Sequence, residues 1–178
     1  LEGAVAARDA RPTGLRGRGR PAKEFVLTQR GRDAFDQQYD DLATEALRFL
    51  AETVGDDAVR AFAERRAEFI ERRFPEVQGA HPDASPAEVL ALVFTDEGYA
   101  ASVRELPGQL SVLGGEQLCQ QHCPVSHVAH EFPQLCEAET EAISRVLGTH
   151  VQRLATIAHG DGVCTTCIPA TQKEQVTT

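Results

Sequence analysis

The chain has no methionine among its 178 residues, and no apolar run approaches the roughly 20 residues that a membrane-spanning helix needs. No secretory leader is visible either. A start at Leu1 without methionine reads as a fragment whose translated beginning lies upstream. Also missing are a glycine-rich phosphate loop, a nucleophile elbow and a paired-carboxylate site, so catalysis and a small-molecule substrate are not expected. Glu137, Glu139 and Glu141 read as one solvated helix face. Cysteine is scarce and odd in number: five residues argue against a secreted disulfide framework and for the reducing cytoplasm.

What is present is ordinary for a water-exposed globular chain, 42% hydrophobic and 25% charged. That length holds one sizeable core or two small ones. The net charge of −9 conceals an asymmetry: residues 1–32 carry eight Arg/Lys against three Asp/Glu, and the remainder ten against twenty-four. A basic arm on an acidic body points to an N-terminal contact with a polyanion.

The arm reads as two strands, Ala4–Arg8 and Glu24–Leu27, around a glycine- and proline-rich tip. A hairpin carrying Arg16, Arg18, Arg20 and Lys23 has the character of a DNA-binding wing. Glycine between the arginines lets the backbone approach a groove, and guanidinium groups suit phosphates and narrow minor grooves. Arg18-Gly-Arg-Pro21 also resembles the AT-hook core. Thr28 then reads as the cap of a helix. Strand, Leu-Thr and helix together resemble the end of a winged-helix domain, whose base-reading helix would precede Leu1.

Helical periodicity follows from about Gln37 to Thr53, with Leu42, Ala46, Phe49 and Leu50 on one stripe. Gly55 breaks it, and a second helix is expected to end at Phe74 before Pro75, with Val59, Phe62, Ala63, Phe69 and Ile70 on its apolar side. Two such stripes suggest a homodimer interface suited to two-fold symmetric DNA; burial within one subunit is the alternative. Beyond a linker, Ser85 caps a helix opened by Pro86. Strands are expected at Tyr99–Leu106 and Gln109–Leu113, helices on either side of Pro133, and strands at Val151–Ala158 and Val163–Pro169 about His159-Gly-Asp-Gly162.

Four of the five cysteines crowd the C-terminal third, spaced Cys123-x12-Cys136-x27-Cys164-x2-Cys167. Thiolates are soft ligands that suit zinc or an iron–sulfur cluster. One straight helix through 123–136 would separate its end cysteines by about 20 Å, too far for a shared centre. Either Pro133 turns the chain back or Cys123 precedes its helix. Both then fall near helix N-termini, where the macrodipole favours thiolate. Zinc would be held by Cys119, Cys123, Cys164 and Cys167; an iron–sulfur site would use Cys136 and leave Cys119 spare. Spacing leaves the two open.

CPVSHVAHEFPQLCEAE and HVQRLATIAHGDGVC, with GRGRPAKEFVLTQRGRDAF upstream, resemble the SufR family in its actinobacterial form, over nearly the whole chain. These are iron–sulfur cluster-sensing repressors of cluster-assembly (suf) operons. The resemblance implies cluster ligation by Cys123, Cys136 and Cys164, with Cys167 the first choice for the fourth ligand ahead of His150, His159 and Cys119. It implies a [4Fe–4S] cluster, with [2Fe–2S] as the alternative, and a cytoplasmic homodimer on the double-stranded operator DNA of the suf operon. The cluster-bound form would bind DNA and cluster loss would derepress; a zinc-stabilised winged-helix regulator is the competing reading. The expected fold class is α+β. It comprises a wing and last helix of a winged-helix domain (1–36), a two-helix dimerisation segment (37–75), a β-β-α-β-β cluster-binding domain (85–170) and a tail (171–178).

Overall fold

Residues 3–9, 23–28, 38–106 and 114–170 are described by the computed structural model, and within them the chain is α+β with two antiparallel sheets. It divides into two units, Leu1–Tyr39 and Asp40–Thr178.

The first unit is a ribbon of β1 (Val5–Asp9) and β2 (Lys23–Leu27), with Val5 opposite Leu27 and Asp9 opposite Lys23. The Arg8 guanidinium donates to the Glu24 carboxylate at 2.9 Å across the pair. At the open end the Thr28 hydroxyl donates to the Gly3 carbonyl at 2.6 Å and its amide to Ala4. Each strand agrees with its sequence-based expectation to within one residue. Arg16, Arg18, Arg20 and the helix expected after Thr28 lie outside the described residues.

In the second unit the helices are α1 (Tyr39–Thr53), α2 (Asp56–Ala80), α3 (Pro86–Asp96), α4 (Ser126–Glu131) and α5 (Gln134–Leu147). The strands are β3 (Ala101–Glu105), β4 (Gly115–Gln120), β5 (Gln152–Ala155) and β6 (Cys164–Pro169), in the order β3-β4-β6-β5 with every neighbour antiparallel. Local chemistry sets several of these ends. Ser85 and Glu88 form a reciprocal capping box, the Ser85 hydroxyl accepting the Glu88 amide while the Glu88 carboxylate accepts the Ser85 amide. Gly148, at φ 62°, stops α5 in the left-handed region.

Three expectations need correction. First, α2 does not end at Phe74 but runs through Pro75 to Ala80. A mid-helix proline costs about 3 kcal/mol, but the apolar stripe continues past it: Phe74 is buried and Val77 packs on the same core. Second, the partner of β3 is Gly115–Gln120; the expected strand 109–113 lies outside the described residues. Gly115 opens β4, and only glycine fits there: a Cβ would collide with the Ile168 carbonyl. Third, the segments 37–75 and 85–170 do not form separate bodies. Leu47, Val59, Ala63, Phe69 and Ile70 share one core with Phe94, Leu118, Ile143 and Ile168.

The apolar side of α2 is thus largely consumed inside the chain. Much of the stripe on α1 is not: Leu42 is 63% and Phe49 68% exposed, with Phe62 of α2 at 46%. Among the described residues no helix is long and apolar enough to cross a membrane.

Candidate metal centre

Pro133 settles how the first two cysteines approach. Helix α4 stops at Glu131 and α5 starts at Gln134, with Pro133 as its N-cap. Cys123 lies ahead of α4 and Cys136 in the first turn of α5, so no single straight helix separates them. The third, Cys164, opens β6 on the side of the sheet that joins the core. Cys123, Cys136 and Cys164 are near enough that each pair interacts electrostatically, ionisation of one thiol raising the proton affinity of the others. Residues 41 positions apart in sequence at the extremes therefore share one neighbourhood.

Register excludes Cys167 from it. Side chains alternate along a strand, so Cys164, Thr166 and Ile168 face the core while Thr165 and Cys167 face the other way. Cys119 stands opposite Thr165 in the ladder and belongs to that far face with Cys167. The expected fourth ligand is therefore separated from the other three by the sheet itself. The four-thiol zinc set of Cys119, Cys123, Cys164 and Cys167 is likewise split across two faces. His150 and His159 are both exposed, and the His159 ring pairs with the Thr156 hydroxyl at 2.7 Å.

Burial is the main cause that raises the Cys123 thiol to about 11 and the Cys136 thiol to about 12. For Cys123 an amide from Val125 opposes it, and for both thiols the Arg153 guanidinium does. The Cys164 sulfur accepts the Ile157 amide at 3.2 Å, which ties β6 to the 3-10 turn Ile157–His159. His130 on α4 pairs with the Ala158 carbonyl at 2.7 Å and fixes the same turn from the other side. As they stand, no three His, Cys, Asp or Glu side chains among the described residues converge on one ion position. The Cys123 and Cys136 thiols are held as neutral groups that a metal would have to deprotonate.

Beside them lies a polar cluster that the sequence did not announce. Glu139 was expected to be solvated with Glu137 and Glu141; it is 7% exposed. The helical period accounts for this: Glu139 follows Leu135 by four residues and precedes Ile143 by four, on the buried stripe, whereas 137 and 141 face out. Its carboxylate accepts the buried Tyr99 hydroxyl and stands 3.6 Å from Arg153 Nη2. Arg153 Nη1 donates to Gln120 Oε1 at 3.0 Å and Nε to Thr140 Oγ1 at 3.2 Å. Tyr99 in turn packs edge-on against Phe94, and Phe94 against Phe69 of α2.

The donor set fits a soft, thiolate-held centre. Three thiols come from three segments, and Gln120 Nε2, Arg153 Nη2 and Thr166 Oγ1 are buried without a hydrogen-bond partner. Gln120 lies opposite Cys164 in the ladder, and Thr166 opposite Arg153. Cys136 also borders a depression of about 290 Å³ lined by Glu137, Thr140, Glu141 and Arg153, a path from solvent to one of the sulfurs. A second hollow, of about 440 Å³, is apolar and has Phe49, Leu50 and Phe62 on one wall and Val125, Val128 and Leu135 on the other. Comparison with protein-family models, curated proteins and solved structures found no match for this chain.

Proposed function

We propose that this chain is a non-catalytic, cluster-dependent regulator of transcription that acts in the cytoplasm as a homodimer on double-stranded DNA. In the manner of the SufR repressors it resembles, it would silence cluster-assembly genes while its cluster is in place. The single observation that carries this is that Cys123, Cys136 and Cys164, the trio singled out by the resemblance, lie near enough for each pair to interact electrostatically.

These three thiolates would hold the iron–sulfur cluster, and when bound it would supply covalent ties between the α4 approach, the start of α5 and the start of β6. Strand alternation sets Cys167 on the face opposite Cys164, so on this reading the fourth ligand would come from elsewhere. The residues that flank the thiols do the coupling. Val125, Val128 and Leu135 belong to the 123–136 segment and also wall the apolar hollow shared with Phe49 and Phe62. Ordering that segment shapes a face on which a second copy would pack, and a dimer with fixed spacing suits a symmetric operator. The ribbon β1–β2 supports the wing of a winged helix, with Lys23 on its second strand; Arg16, Arg18 and Arg20 belong to the same basic arm.

An anaerobic visible spectrum with iron and sulfide analysis tests the centre. A brown protein with both elements is expected; a colourless protein that carries only zinc would end the proposal. A mobility shift on operator DNA, with and without the cluster, tests the switch. The triple Arg16, Arg18, Arg20→Ala variant should bind more weakly and lose roughly one unit of salt slope for each phosphate contact removed.

A further inference from the structure

Arg153 is held from three sides, and one of its donor groups is left over. Its Nε donates to Thr140 Oγ1 at 3.2 Å, and that hydroxyl itself donates to the Cys136 carbonyl at 2.8 Å, so the guanidinium is tethered to the turn that carries Cys136. Its Nη1 donates to Gln120 Oε1 at 3.0 Å. Its Nη2 lies 3.6 Å from Glu139 Oε2, close enough for charge attraction and too far for a hydrogen bond. Accepting from Arg153 through its oxygen turns the Gln120 amide nitrogen away, and that nitrogen has no partner although Gln120 is only 1% exposed. The adjacent Thr166 hydroxyl, fully buried, is unpaired as well.

A buried donor without an acceptor is costly, and native structures carry few of them. Here three unpaired polar groups gather on the sheet face that bears Cys164, and the charged one is tethered to Cys136. All can donate, so the acceptor they call for is electron-rich. Thiolate sulfur and inorganic sulfide are such acceptors; a protonated thiol is a poor one. Geometry agrees: Arg153 and Cys136 line the same depression.

We propose that Arg153, supported by Gln120, is the positioning residue that presents fixed positive charge and hydrogen-bond donors to the sulfur-rich centre and sets how readily that centre takes up an electron. This rests on the cluster reading above. A thiolate-held cluster is anionic and becomes more so when one electron enters. A guanidinium held nearby, little exposed to water, stabilises the reduced form more than the oxidised one. Glu139 pulls in the opposite direction, and the Tyr99 hydroxyl together with Arg153 offsets its charge. The redox response of the site would then be set by residues outside its ligand set.

The test uses the full chain, loaded anaerobically with iron and sulfide and titrated with dithionite through mediators while absorbance is followed. Dithionite is oxidised as the centre gains its electron. Arg153→Gln removes the charge and should lower the reduced-to-oxidised ratio at a given potential about tenfold, a shift of about 59 mV for a one-electron couple. Arg153→Lys should recover at least half of that shift. Gln120→Leu should move it in the same direction by less. If Arg153→Gln does not fold, Gln120→Leu, which removes no charge, carries the test. Variants that hold iron and sulfide in the wild-type ratio and keep the wild-type midpoint overturn the proposal. A wild-type chain that takes up neither iron nor sulfide removes the cluster reading and this inference with it.

Discussion

Replacing Tyr99 by phenylalanine isolates one polar contact without opening a hole. Tyr99 is 1% exposed, and its ring packs edge-on against Phe94 with centroids 5.0 Å apart, contacts that phenylalanine keeps. What disappears is the hydroxyl that donates to the Glu139 carboxylate. Glu139 is itself 7% exposed, and its remaining charged neighbour, Arg153 Nη2, stands at 3.6 Å. A hydrogen bond to a charged group contributes about 1.5–3 kcal/mol, and an unsatisfied buried carboxylate sits at the upper part of that range. We expect Tyr99→Phe to destabilise the unloaded chain by about 2 kcal/mol. For a unit of this size that is a fall in Tm of about 4–8 °C. Burial, with the Glu139 charge as the next cause, pushes the Tyr99 hydroxyl well above the ordinary tyrosine value. It therefore stays a donor across the neutral range, and the loss should be constant from pH 6 to 9. Circular dichroism melts with Tyr39→Phe as control (Tyr39 is 70% exposed) provide the comparison. A change below about 0.5 kcal/mol would mean that Glu139 finds its partners in water, and the buried cluster beside the thiols would have to be abandoned.

Other outcomes are equally open to measurement. Cys123→Ser, Cys136→Ser and Cys164→Ser should each abolish the anaerobic chromophore while Cys167→Ser retains it; loss on Cys167→Ser alone would contradict the register argument. Phe62→Asp or Phe49→Asp should convert a dimer to a monomer in sedimentation, with circular dichroism unchanged, because both side chains are exposed in the single chain. In the unloaded chain the Cys123 and Cys136 thiols lie above the ordinary value, at about 11 and about 12, so the folded state favours their protonated forms. Their contribution to stability is full below about pH 9 and is lost as pH rises towards 11–12. The urea midpoint should accordingly fall above pH 9, and less steeply in Cys136→Ala; a flat profile would mean that these thiols are solvated.

Much of this fold was legible in the sequence because it depends on local chemistry. The Ser85 cap, the Pro86 start, the break at Pro133 and the stop at Gly148 are each decided within one helical turn. The β1–β2 ribbon follows from alternation in the same way; the β5–β6 pairing was legible too, but β5 ends at Ala155 and Ile157–His159 is a 3-10 turn where the strand was expected to run to Ala158. The trio of cysteines, by contrast, was reached by resemblance to a family, since spacing left two ligand sets open. Where the reading of the residues failed, the deciding force acted at a distance. The helix crosses Pro75 because Phe74 and Val77 have a core to enter, and β3 pairs with Gly115–Gln120, a strand whose other edge is held by β6.

By itself, then, the chain determined where its helices begin and, apart from α2, where they end, and which side chains carry sulfur. Only the packed structure decided which strand cysteines share a face. Strand alternation sends Cys164 to one face and Cys167 to the other, and the sheet order brings Gln120, Thr166 and Arg153 beside the first of them. Those are consequences of which strands pair and in what register. Spacing along a polymer cannot state them, because hydrogen bonds between distant segments fix them.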